Sequence, residues 1–193
     1  MTFADVLRPA IAQRRVGLLY DAMLVMGGSA LVAGLAQVAI PLPFTPVPLT
    51  GQTFGVLLVG ALLGGPRGGL AILVYLAEGA VGLPVFASGG AGLARLAGPT
   101  GGYLVGFLFA AFVVGFLAKR GWDRNVWRAS LAMLVGNALI YAVGLPWLSL
   151  FVGAQKALLL GLCPFVVGDC VKLALAAFAL PAGWKLLHWF GKT

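Results

Sequence analysis

The sequence predicts an all-α membrane protein: a single domain over residues 1–193, built as a six-transmembrane-helix bundle with both termini cytoplasmic. Three observations carry that prediction. Of 193 residues, 61% are hydrophobic and only 9% charged, with a mean hydropathy of +1.03, whereas a soluble domain carries roughly a quarter charged residues. The apolar residues gather into runs of about spanning length. The cations gather between those runs. An excess of 13 Lys+Arg over 5 Asp+Glu would suggest nucleic acid in a soluble chain. Here the placement of the cations reads as membrane topology, so the expected surroundings are lipid bilayer and no nucleic acid.

The elements follow in order. Residues 22–40 form the first span, uncharged throughout and stopped by Pro41-Leu-Pro43. Arg14 and Arg15 before it imitate a signal peptide, but the run is too long for one and further spans follow. Residues 51–64 and 69–83 make a tight pair joined through Gly65-Pro66-Arg67-Gly68, both short for a perpendicular crossing. The fourth and fifth spans are 101–118 and 129–145, and the sixth is 164–184, interrupted near Pro164 and Gly168.

Orientation follows from Lys and Arg alone. With the N-terminus inside, the inner side holds Arg8, Arg14, Arg15, Arg67, Lys119, Arg120, Arg124, Arg128, Lys185 and Lys192, and the outer side Arg95 and Lys156. Trp122, Trp127, Trp184 and Trp189 fit an interfacial aromatic belt on the inner side. On the outer side, residues 41–50 carry four prolines and 84–100 carry Gly89, Gly90, Gly92 and Gly98. Such segments are either surface loops or functional lids. Ala-Val-Gly-Leu-Pro occurs at both 80–84 and 142–146. The pair is either an internal repeat or two Gly-then-Pro stops, each ending an outward-running helix.

Ionisable residues inside the spans carry the functional signal, because each costs on the order of 2.5–3.5 kcal/mol at a helix centre. Asp169 and Lys172 are three apart on one face of the sixth helix. They form either a self-neutralising ion pair or a polar substrate site, an Asp acceptor and a Lys donor suiting an amide or a carboxylate. Glu78 could accept from a ligand or pair with Lys172 or Arg95. Asp21 reads as a cap at the start of the first helix. Arg95, the cation of the outer Gly-rich segment, is either a surface charge or an anion clamp. Ser29/Ala33 and Ala30/Gly34 are small-xxx-small pairs, serving either internal packing or close approach of a partner helix.

Other chemistry is missing. Two cysteines and one histidine are too few for a metal cluster. Cys163 and Cys170, about 10.5 Å apart in rise on one helix, are too far apart for a disulfide. There is no phosphate-binding loop, nucleophile elbow or HExxH. An enzyme is not expected, and His188 is the single histidine.

Five stretches taken in series carry a family resemblance: Thr45-Pro-Val-Pro-Leu-Thr-Gly-Gln-Thr53, Gly64-Gly-Pro-Arg-Gly68, Gly82-Leu-Pro-Val-Phe86, Gly98-Pro-Thr-Gly-Gly-Tyr103 and Pro164-Phe-Val-Val-Gly-Asp-Cys-Val-Lys172. From about residue 20 to 180 the chain resembles the BioY family, the biotin-specific substrate-binding (S) components of energy-coupling-factor (ECF) transporters. The resemblance implies the ECF S-component fold, high-affinity biotin binding beneath the first, third and fifth connecting loops, and uptake across the bacterial cytoplasmic membrane. It implies no cofactor, biotin being the transported ligand. The partners it implies are a transmembrane coupling protein and two cytoplasmic ATPase subunits, which supply the energy. The family's Asp-x-x-Lys falls on Asp169 and Lys172, with an aliphatic residue commoner where this chain has Cys170. The remaining candidate contacts are Glu78, Arg95, Gln52 and the aromatic walls Phe44, Phe86 and Tyr103. Small residues of the first helix (Ser29, Ala30, Ala33, Gly34) are the candidate contacts to the coupling protein. The rival reading is a stand-alone secondary transporter of biotin or another small vitamin, driven by protons through Glu78 or Asp169.

Overall fold

The computed structural model describes residues 1–7 and 14–189. In order they form α1 (Phe3–Val6), α2 (Arg14–Gln37), β1 (Ala39–Ile40), β2 (Leu49–Thr50), α3 (Gln52–Leu63), α4 (Gly65–Ala80), α5 (Leu93–Ala97), α6 (Gly101–Lys119), α7 (Val126–Val152), α8 (Ala154–Gly161) and α9 (Val166–Trp189). Helices α2, α6, α7 and α9 are long and apolar enough to cross a membrane. With 12 and 16 residues, α3 and α4 rise only about 18 and 24 Å, short of a hydrocarbon core of about 30 Å. The chain is a helical membrane protein. Arg8 and Lys192 of the charge count lie outside the described residues.

Helix α6 is the hub, packed on α3, α4 and α7, with 61% of its apolar window buried against 17% for α2 at the edge. Backbones touch where side chains are absent. A Cβ on Gly68 would lie 2.9 Å from Gly60 Cα, so α4 packs directly on α3. The turn between them needs Gly64 at φ +85°, a conformation costly for other residues.

Several boundaries differ from the sequence reading. The first helix starts at Arg14 rather than residue 22, so Asp21 lies inside it and is no cap. Its carboxylate instead pairs with Arg67 Nε of α4 at 2.9 Å. The fifth helix runs through Pro146 to Val152, so the second Gly-then-Pro sequence does not stop it. A spanning helix tolerates proline where neighbours hold the freed turn. Two side-chain bonds flank this proline: Trp147 Nε1 donates to Gly98 O at 2.9 Å and Ser149 Oγ to Pro146 O at 2.6 Å. A two-residue ladder, Ala39 with Thr50 and Ile40 with Leu49, pins the proline-rich segment between α2 and α3.

At the cation-rich end, α1 closes the bundle. Asp5 accepts from the Thr2 backbone N–H at 3.0 Å and from Arg67 at 2.7 Å, and Tyr20 donates to Ala4 O at 3.0 Å. Trp184 is buried rather than interfacial. It lies against Phe3, with ring centroids 4.5 Å apart, and beneath the Arg124 guanidinium at 4.4 Å. Its indole donates to Asp123 Oδ2 at 2.6 Å. Trp127 and Trp189 are the exposed ones.

Candidate ligand-binding cavity

The opposite end of the bundle holds a partly open cavity. Its walls come from many elements: Val47, Pro48 and Thr50 before α3, Gln52 and Thr53 on α3, Phe86 and Ala87 after α4, Arg95 on α5, Tyr103 and Phe107 on α6, Tyr141 on α7, Phe165, and Asp169 and Lys172 on α9.

One polar group ties three helices together. Lys172 Nζ lies 3.3 Å from Asp169 Oδ1 and donates to Thr53 Oγ1 of α3 at 3.0 Å. The hydroxyl of Tyr141 on α7 donates to Asp169 Oδ2. Asp169 is buried in the first turn of α9, where the helix dipole favours an anion. Burying a charge is costly unless it is paired and hydrogen-bonded, and here both carboxylate oxygens are engaged. An ammonium has three donors, and two of them are used here. Lys172 and Asp169 thus set a donor and an acceptor beside an apolar wall. Arg95, the other charge lining the cavity, pairs with no carboxylate among the described residues.

The other polar wall groups are braced. Gln52 Nε2 donates to Tyr75 OH at 2.5 Å, and Thr50 Oγ1 donates to Gln52 Oε1 at 3.1 Å. Tyr75 meets the Phe86 ring edge-on at 5.4 Å. Tyr103 donates to Gly161 O at 3.0 Å, anchoring the connection after α8.

Asp169, Lys172, Gln52, Arg95, Phe86 and Tyr103 therefore come together around one space. Glu78 and Phe44 do not line it. The Glu78 carboxylate accepts from Ser29 Oγ at 2.5 Å, and Phe44 is 58% exposed. Of the small residues on α2, Ser29 is buried by that bond, Ala33 is half-buried, and Ala30 and Gly34 face outward. Among the cavity residues that escaped the sequence reading are Thr53 and Tyr141, the two that bond to Lys172 and Asp169. A signal existed for Tyr141, a polar residue deep in an apolar span, where such residues mark interiors.

Fold and cavity together define a membrane-embedded helical protein with a partly charged pocket at one end of its bundle. The family model described as the BioY family matches residues 9–189. A probable biotin transporter BioY from Pyrococcus horikoshii is 45% identical over 141 residues, 73% of this chain and 82% of that one. A biotin transporter BioY from Rhizobium etli is 40% identical over 160 residues, 77% of this chain and 85% of that one. A crystal structure of the S-component for biotin from an ECF-type ABC transporter superposes with a TM-score of 0.80 at 29% identity, covering 90% of this chain and 95% of that one. The chain belongs to the BioY family.

Proposed function

We propose that this chain binds biotin in the cavity and takes it up across the cytoplasmic membrane as the S component of an ECF transporter. The observation that carries this reading is the Asp169–Lys172–Thr53–Tyr141 group set in an otherwise largely apolar cavity, in a chain of this family. Biotin has an apolar bicycle and tail, a ureido group with two donors and one acceptor, and a carboxylate. Asp169 accepts from the ureido N–H groups, Lys172 donates to an oxygen, and Arg95 is the anion clamp for the carboxylate. Phe86, Phe165 and Tyr103 cover the apolar surface.

In this reading the bundle crosses the membrane six times, α3 and α4 being the short pair, with the cavity outside and the cation-rich end in the cytoplasm. Energy comes from a transmembrane coupling protein and two cytoplasmic ATPase subunits. The coupling protein meets the exposed Ala30 and Gly34 of α2, with Ala33 beside them and Ser29 serving internal packing. A thermal-shift panel of vitamins on the purified chain tests the ligand. Biotin at 100-fold above its Kd should stabilise by about 2.7 kcal/mol, and no other vitamin should match it. Stabilisation by a different vitamin and not by biotin overturns the assignment.

A further inference from the structure

Both roof segments of the cavity hang from the end of α2. The first follows covalently. Gln37 ends the helix, Ala39 and Ile40 pair at once with Thr50 and Leu49, and Gly51 N donates to Val38 O at 2.9 Å. The segment that brings Val47, Pro48 and Thr50 to the cavity is thus tied at both ends to the turn leaving α2.

The second roof segment is held by one side chain. Gln37 Oε1 accepts from Gly89 N at 3.0 Å, while Nε2 donates to Phe86 O at 3.4 Å and points to Val85 O at 3.5 Å. The same Nε2 donates to Ala33 O at 3.0 Å, one turn back on α2, which fixes the carboxamide to its own helix. Both halves of the amide therefore grip the stretch that places Phe86 and Ala87 in the cavity wall. That stretch is strained as well as gripped. Ser88 has φ +56° and Gly89 φ +71°, and a serine adopts that conformation only where its surroundings hold it. The Phe86 ring, 2% exposed, lies over Gly79 and against Tyr75. Moving this backbone would withdraw the ring and open the cavity.

We propose that Gln37 is a positioning residue that latches the Phe86 segment over the cavity, so that α2 and the two roof segments move as a unit. Its ligand readout rests on the biotin reading; its backbone readout does not.

Amide hydrogen exchange on the ligand-free protein in nanodiscs compares wild type, Gln37→Ala and Gln37→Glu. Gln37→Ala should raise exchange over residues 85–90, Gly89 above all, by about tenfold. Exchange in α6 should stay at the wild-type level, certifying the fold. Gln37→Glu keeps an acceptor for Gly89 but loses the donor to Phe86, so it should fall between. Biotin should leave Gln37→Ala roughly fivefold faster than wild type, the effect of about one lost hydrogen bond, with the Tm of the ligand-free protein unchanged. Unaltered exchange over 85–90 overturns the latch whatever the ligand. Raised exchange with a wild-type biotin dissociation rate overturns its role in closing the cavity. Failure of wild type itself to bind biotin removes the biotin reading, and the exchange measurement still decides the latch.

Discussion

Tyr141 donates its hydroxyl hydrogen to Asp169 across the α7–α9 interface, so the carboxylate is held at one oxygen by Tyr141 and at the other by Lys172. A carboxylate gripped from two sides cannot rotate away from the cavity. A carboxylate already held in place needs no further ordering, and preorganisation of that kind spares part of the entropy cost of any binding it takes part in.

Tyr141→Phe keeps the ring and its edge-to-face contact with Tyr103 while deleting the donor. A hydrogen bond to a charged group contributes roughly 1.5–3 kcal/mol. Because that bond is already made without biotin, only the lost ordering of the carboxylate weakens binding, and biotin affinity measured by titration calorimetry should fall by several-fold. Unchanged affinity would show that the bond only braces the bundle.

On α2, the exposed small residues and the buried one should behave in opposite ways. A Cβ on Gly34 meets nothing within 4 Å, whereas Ser29 is buried and bonded to Glu78. Gly34→Trp or Ala30→Trp should leave biotin binding by the isolated protein near the wild-type level and abolish energised uptake, because bulk there blocks close approach of a partner helix. Ser29→Trp should instead lower stability and binding together, as overpacking does. Equal loss of binding and uptake in Gly34→Trp would place that residue inside the functional bundle.

Much of this was legible in the sequence, for identifiable reasons. Apolar runs and interleaved cations report spans directly, and a three-residue spacing put Asp169 and Lys172 on one face before any fold was known. Gln52, Phe86 and Tyr103 lie in the family stretches taken in series, whereas Arg95 stood out as the cation of the outer Gly-rich segment. The illegible parts depend on tertiary partners. Asp21 looked like a cap because nothing in the sequence says that Arg67, far along the chain, sits beside it. Pro146 looked like a stop because Gly-then-Pro commonly ends a helix, and nothing in the sequence says that the helix continues to Val152 with Trp147 bonded to the distant Gly98. Trp184 looked interfacial because its partner Asp123 is 61 residues away. Tyr141 and Thr53 are single polar residues without a periodic pattern, and only the packing of α3, α7 and α9 brings them to Asp169 and Lys172.

Two carboxyls at the cation-rich end should respond oppositely to pH. Burial raises Asp123 above the ordinary carboxylate value, and the Trp184 indole and Arg124 only partly offset it. An acid with a higher pKa folded than unfolded favours the fold at low pH and weakens it as pH rises through the raised value. Burial also opposes ionisation of Asp5, but the Thr2 backbone N–H and Arg67 outweigh it and hold its pKa below 3.8. Its contribution is present above that pH and lost as pH falls through the depressed value. Tm followed against pH in detergent should therefore show Asp123→Asn at or above wild type at pH 7, with any gain shrinking in acid. Asp5→Asn should lie below wild type at pH 7, with the deficit closing below about pH 3.8. A matching deficit in Asp123→Asn would show that its charge is needed beside Arg124.

The most direct test of the central claim is biotin binding by Asp169→Asn/Lys172→Met. Removing both members of a buried pair together leaves no stranded charge, so the variant should fold, unlike Lys172→Ala, which abandons a buried carboxylate. Asparagine offers a neutral amide in place of the anionic acceptor, and methionine offers no donor. With two charged hydrogen bonds lost at roughly 1.5–3 kcal/mol each, the account predicts a folded protein whose biotin affinity has dropped by at least about a hundredfold. Full-strength biotin binding by that variant would contradict the site, reduce Asp169 and Lys172 to a structural ion pair, and remove the mechanism built on them.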